Sequence, residues 1–142
     1  MERVYVDMDN VLCDYTGHLN YLRQQDPTVK YPQIHYGFFS ALKPMKGAVE
    51  AFKTLSFAYE TYILTSPSYR NAFCYTEKRV WVEQYFDLET CKRLIISPNK
   101  SLLLGDYLID DNIHLDFQGE HVHFGTPRYP DWASVLDYLM NK

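Results

Sequence analysis

The sequence predicts an α/β domain, a doubly wound parallel sheet carrying a small inserted cap. Three observations support this. Five short apolar or β-branched runs of strand length recur along the 142 residues. Segments with helical spacing lie between several of them. One long stretch, Asp14–Pro44, breaks the alternation with prolines and aromatic residues. Alternating strands and helices imply parallel pairing with helices on both faces, an arrangement in which ligands collect at the carboxyl ends of the strands.

The first expected strand, Arg3–Asp7, is nearly all apolar before it meets an acidic end. Tyr15–Gln25 reads as a helix, and Pro27, Tyr31, Pro32, Tyr36, Gly37, Phe38 and Phe39 follow in a stretch too rich in turn formers to continue it. Together they form the expected cap, residues 14–44, inserted into one domain spanning residues 1–142. Gly47–Phe57 places Val49, Phe52 and Leu55 at helical spacing, before a strand at Thr61–Leu64. Thr76–Phe86 opens with Thr76 as a candidate cap and carries Val80 and Trp81. Strands are expected at Leu94–Ile96, Tyr107–Ile109 and His121–Phe124. The clearest helix comes last: after Pro130-Asp131, the stripe Trp132, Val135, Leu136, Leu139 and Met140 repeats at i, i+3, i+4, i+7 and i+8.

Composition excludes several classes. Apolar residues at 46% and charged residues at 23% are near globular averages, so the chain is neither disordered nor a membrane protein. No apolar run approaches the ~20 residues needed to cross a bilayer and no basic leader precedes the first strand, so a cytoplasmic location is expected. A net charge of −4 without a basic block gives no footprint for duplex nucleic acid. Cys13, Cys74 and Cys91 are odd in number and lack metal-ligand spacing, which predicts free thiols.

Chemistry-bearing residues cluster at the strand ends. Asp7 and Asp9 flank Met8 and could converge on one ion. With Asp7 attacking phosphorus, Asp9 would protonate the leaving oxygen and later deprotonate water. Acidic turn residues at a strand terminus are the plain alternative. Thr65-Ser66 before Pro67 supplies two hydroxyls suited to a phosphate, or to capping a turn. Lys100 could neutralise a transferring phosphoryl group, or be an ordinary solvated lysine. Asp110-Asp111 closes an apolar strand, and adjacent carboxylates there repel unless a hard cation such as Mg²⁺ compensates them; a helix N-cap is the alternative. His121 and His123 share a strand face but lack further metal ligands, so a structural role is expected. Tyr36, Phe38 and Phe39 could stack on a nucleobase or pack the cap against the core.

These signals follow a mechanistic order: acidic pair, hydroxyl pair, lysine, second acidic pair. That arrangement resembles the haloacid dehalogenase-like (HAD-like) phosphohydrolases, with their Rossmann-like core, and within them the 5'(3')-deoxyribonucleotidase family. The likeness extends through Gly37-Phe38-Phe39, Leu64-Thr65-Ser66-Pro67, Glu77-Lys78, Trp81-Val82-Glu83, Tyr85-Phe86 and Leu108-Ile109-Asp110-Asp111. It implies Asp7 as nucleophile, Asp9 as general acid/base, Thr65 and Ser66 as phosphate binders and Lys100 as charge stabiliser. It further implies Mg²⁺ held by Asp7, the Asp9 carbonyl and Asp110, with Asp111 acting directly or through water. The implied substrate is a nucleoside monophosphate, especially a deoxyribonucleotide, with Phe38 and Phe39 above the phosphate. Two features depart from the family pattern: Asn10 stands where Gly is usual, and the cap is short. So short a cap leaves the pocket open, with room for a second subunit to cover it as a homodimer.

Other readings remain at this level. A general small-molecule phosphatase would use the same residues. A receiver domain of a two-component system shares the residue types and Mg²⁺, but places its phospho-accepting aspartate after an inner strand, whereas this chain has Asp-x-Asp first and Asp-Asp late.

Overall fold

The structure, a computed structural model, describes residues 1–142. Its elements in order are β1 (Arg3–Val6), α1 (Tyr15–Gln25), α2 (Ala48–Leu55), β2 (Glu60–Thr65), α3 (Cys74–Tyr85), α4 (Leu88–Cys91), β3 (Leu94–Ile96), β4 (Tyr107–Asp110), β5 (Glu120–His123) and α5 (Trp132–Met140). Short 3-10 turns occur at Pro32–Ile34 and Lys100–Leu102.

All five strands are parallel, in the order β3-β2-β1-β4-β5. The order reverses around β1, which pairs with β2 on one side and β4 on the other. This is the switch point at which doubly wound sheets bind ligands, because the connections leaving the two neighbouring strands diverge and open a crevice. Val6 pairs with Ile109, and the Asp7 N–H donates to the Ile109 carbonyl at 2.9 Å. The register therefore brings Asp7 and Asp110 to adjacent strand ends.

The strand alternation divides the core. Val4, Val6, Ile63, Ile109 and Val122 face the main cluster, which Phe52 and Leu55 of α2, Trp81 and Val82 of α3, and Trp132 and Val135 of α5 complete. Tyr5, Leu64 and Leu108 point the other way and meet Phe117 in a smaller cluster. Helical cover on both faces, expected from the alternation, is one-sided here. The β3–β4 and β4–β5 connections contain no α-helix, so the second face is sheltered by side chains such as Leu103 and Phe117.

Two buried indoles tie the catalytic end together, since a buried N–H needs an acceptor. Trp81 Nε1 donates to the Leu42 carbonyl at 2.7 Å, and Trp132 Nε1 to the Val11 carbonyl at 2.8 Å. α5 begins as its sequence predicts, with Asp131 forming a capping box with Ser134. α3 does not: it starts at Cys74, and Thr76 lies inside the helix. The turn closes earlier because Asn71 Oδ1 accepts the Phe73 N–H at 3.0 Å and Cys74 is buried in the main cluster. All three cysteines are free thiols, and no helix is long and apolar enough to cross a membrane.

Candidate active site

Three groups of residues meet above the switch point. The first is acidic. Carboxylate oxygens of Asp7, Asp110 and Asp111 all lie within 4.8 Å of one another. Lys100, placed by the 3-10 turn after β3, reaches between two of them: its Nζ is 2.7 Å from Asp7 Oδ1 and 2.6 Å from Asp110 Oδ2. Only 3% of Lys100 is exposed, so the loop lysine is a buried counter-ion and not a solvated one. Burial pushes the Asp7 carboxyl well above the usual carboxylate range; Lys100 opposes that rise and the neighbouring Asp110 adds to it. Burial also acts to raise Asp110, but the Lys100 charge and hydrogen bonds from Lys100 and the Asn112 N–H outweigh it and hold that carboxyl low. Asp111 is raised, chiefly by burial. The Lys100 ammonium is favoured despite its own burial because two carboxylates face it.

The second group surrounds Asp9. The Met8 carbonyl accepts N–H donors from Val11, Leu12 and Cys13, which winds the chain into a tight turn. Asn10 sits in that turn at φ 65°, a left-handed conformation open to glycine and, among the other residues, to asparagine. This explains how Asn10 replaces the usual glycine, and its Oδ1 also accepts the Thr16 N–H of α1 at 2.9 Å. The turn leaves the Asp9 carboxylate outside the acidic cluster. Its partner is Lys78 of α3, whose Nζ lies 3.2 Å from Asp9 Oδ2, 2.6 Å from Thr65 Oγ1 and 2.7 Å from the Ser66 carbonyl. Asp9 is therefore brought to the site as a side chain facing Lys78, apart from the carboxylates of Asp7, Asp110 and Asp111. Ser66 lines the cavity, while Thr65 is buried.

The third group is the aromatic wall. The cavity, of about 290 Å³, has two hydrophobic lining residues, Tyr15 of α1 and Phe39. Phe39 meets it as expected, from a buried position in the core. Phe38 does not line it. Its ring packs edge-on to Tyr15 and Phe39 and faces a separate cavity inside the cap with Leu22, Val29 and Pro32. Tyr36 is 77% exposed and packs edge-on against Phe73, so it is no part of the wall.

Four residues of the site had no assigned role in the sequence reading. Lys78 and Tyr15 are two. Glu77, beside Lys78 on α3, is buried and accepts the N–H of Gly37 and of Ser40, each at 3.1 Å, which pins the segment carrying Phe38 and Phe39. His114 lines the cavity with Nε2 3.1 Å from Asp110 Oδ2. The helical spacing of Cys74, Glu77, Lys78, Trp81 and Val82 was the available signal, a core-facing stripe with two charges in it. His121 and His123 donate to the carbonyls of His114 and Asp111, fixing the loop after β4 in the structural role expected of them.

The strand order puts carboxylates at the ends of β1 and β4, hydroxyls at the end of β2 and a lysine after β3, the arrangement that the resemblance to the HAD-like phosphohydrolases implies. The chain belongs to the 5'(3')-deoxyribonucleotidase family, whose model, "5' nucleotidase, deoxy (Pyrimidine), cytosolic type C protein", matches residues 22–131. It is 42% identical to a Vibrio phage KVP40 protein provisionally named 5'(3')-deoxyribonucleotidase, over 98% of this chain and 85% of that one. It is 30% identical to the human mitochondrial 5'(3')-deoxyribonucleotidase, over 94% and 69% of the two chains. The human cytosolic-type enzyme is 29% identical over 94% and 78%. A solved structure from Burkholderia xenovorans LB400, provisionally described as a haloacid dehalogenase-like hydrolase, aligns at 18% identity with a TM-score of 0.44, covering 78% of this chain and 72% of its own. Family membership makes the protein a phosphoric monoester hydrolase of the nucleotidase type and sets aside the receiver reading.

Proposed function

We propose that the chain is a Mg²⁺-dependent 5'(3')-deoxyribonucleotidase that hydrolyses deoxynucleoside monophosphates through a phospho-aspartyl intermediate on Asp7. The observation that carries this reading is the convergence of Asp7, Asp110 and Asp111 around the Lys100 ammonium at the switch point. Three carboxylates within reach of one point form a hard oxygen donor set, and one ammonium leaves them under-compensated, so the residues fit Mg²⁺. Asp7, Asp110, Asp111 and the Asp9 carbonyl would hold it. When bound, Mg²⁺ would offset carboxylate and phosphate charge.

The chain's own residues supply the rest. Ser66 and Thr65 donate to the phosphoryl oxygens, and Lys100 holds Asp7 in place while balancing the charge that develops. An Asp7 oxygen bonds to phosphorus as the ester bond breaks, and Asp9 delivers a proton to the departing oxygen. Water then attacks phosphorus, Asp9 takes its proton, and the Asp7–phosphorus bond opens. Tyr15 and Phe39 would wall the nucleoside, and a cap of one α-helix makes that wall short, so discrimination among bases is modest.

A phosphate-release panel tests this reading: deoxy- and ribonucleoside monophosphates, a sugar phosphate and an aryl phosphate, each with and without Mg²⁺. Deoxynucleotides should lead, and activity should vanish after exhaustive chelation. Activity that survives chelation would overturn the metal assignment, and a flat substrate profile would favour a general small-molecule phosphatase.

A further inference from the structure

The two oxygens of Asp9 are in different situations. Oδ2 is paired with Lys78 Nζ at 3.2 Å, while Oδ1 is buried without any hydrogen-bond partner on a residue that lines the cavity. A buried carboxylate oxygen normally finds a donor, so an unpartnered one on a residue that lines the cavity calls for a reason. Lys78 shows why the two differ. Its ammonium has three protons and three acceptors, Asp9 Oδ2, Thr65 Oγ1 and the Ser66 carbonyl. The side chain is 1% exposed, and its Nζ lies 5.2 Å from the Phe39 ring centre, so it has no solvated alternative position.

We propose that Lys78 is a positioning residue that selects Asp9 Oδ1 as the oxygen exchanging protons with substrate, by holding Oδ2 out of the reaction. The proposal rests on the reading of Asp9 as general acid/base. In the first half-reaction the Asp7–phosphorus bond forms, the ester oxygen leaves with its electron pair, and it takes the proton carried by Oδ1. In the second, water gives a proton to Oδ1 as its oxygen bonds to phosphorus, and Asp7 regains its electron pair. Lys78 also fixes the buried Thr65 hydroxyl, whose oxygen accepts from the ammonium at 2.6 Å while the hydroxyl donates to the Ser66 carbonyl at 3.5 Å. The two buried lysines thus divide the site. Lys100 serves the nucleophile side and Lys78 the proton-transfer side.

The test reads leaving-group dependence, because an aryl oxide departs without a proton and a nucleoside alkoxide does not. Lys78→Met and Lys78→Gln are each assayed on thymidine 5'-monophosphate and 4-nitrophenyl phosphate, with Asp9→Asn as control. Misdirecting the acid should lower kcat/KM on the nucleotide about 10- to 100-fold and on the aryl ester at most about three-fold, because kcat/KM covers the steps through loss of the leaving group and excludes the water step that both substrates share. Equal losses on both substrates would overturn the proposal, assigning Lys78 to phosphate binding or folding. Absence of the split in Asp9→Asn would instead sink the acid/base reading itself. A crystal structure of the wild-type Mg²⁺ form with orthovanadate gives an answer independent of any variant. Oδ1 should face an apical vanadate oxygen with Oδ2 still on Lys78; the reverse orientation overturns the proposal.

Discussion

Asp7 and Asp110 end adjacent parallel strands and share one buried ammonium, Lys100 Nζ, at 2.7 and 2.6 Å. The three residues are brought together by the β1–β4 register and by a 3-10 turn after β3. Burial pushes both carboxyls up, yet Asp7 stays raised while Asp110 is held low, although the same lysine touches both. The difference lies in the partners: Asp110 also accepts the Asn112 N–H at 2.9 Å, a bond that favours its charged form.

Asp7→Asn should abolish turnover and leave the fold intact. The amide is nearly isosteric, and it removes one charge from a repulsive carboxylate cluster. Circular dichroism and a thermal melt should match wild type while product formation is undetectable. Near-normal turnover by the folded, Mg²⁺-loaded variant would exclude Asp7 as nucleophile.

Lys100→Met leaves two buried carboxylates uncompensated, and breaking a buried pair in this way costs about 3–5 kcal/mol. The metal-free variant should melt well below wild type and recover more on addition of Mg²⁺ than wild type does. Asp110→Ala should do the opposite, raising the Mg²⁺ concentration needed for half-maximal activity. Thermal shifts across a Mg²⁺ titration check both, and identical Mg²⁺ responses in all three proteins would contradict a metal at this cluster.

Phe38 and Phe39 are adjacent in sequence but should separate in function. Both are buried, so truncation to alanine costs about 3–5 kcal/mol at either position and says little about substrate. Leucine keeps more of the packing. Phe39→Leu should weaken nucleotide turnover about tenfold, in line with ~1–3 kcal/mol per stacked base, while sparing a small non-aromatic phosphate. Phe38→Leu should lower the melting temperature without changing the ratio between the two substrates. Equal substrate ratios for both variants would mean that Phe39 only supports the fold.

Glu77→Gln turns one of two acceptors into a donor that faces a backbone N–H, at a cost of ~1–3 kcal/mol. The segment around Gly37 and Ser40 should loosen, with faster amide exchange at those two residues. KM for nucleotides should rise while kcat on 4-nitrophenyl phosphate holds. Unchanged exchange at Gly37 and Ser40 would show that the carboxylate is not what fixes the cap.

The sequence by itself determined the class. Short apolar runs and period-3.6 patterning separated strands from helices, and carboxylates, hydroxyls and a lysine at successive strand ends pointed to Asp7, Thr65, Ser66, Lys100, Asp110 and Asp111 as candidates for one site. Those residues are legible because parallel α/β topology turns strand ends into neighbours. Only the tertiary structure decided how far each side chain sits from water and which way it turns. Lys78 meets Asp9 across 69 residues and Glu77 meets Gly37 across 40, separations at which no local pattern distinguishes a buried charge from a solvated one. Tyr36, Phe38 and Phe39 show the same limit from the apolar side. All three are aromatic and nearly consecutive, yet one packs on the surface against Phe73, one fills the cap and one faces the site. Their fates follow from an irregular backbone pinned by Glu77, where neither the helical nor the strand period applies.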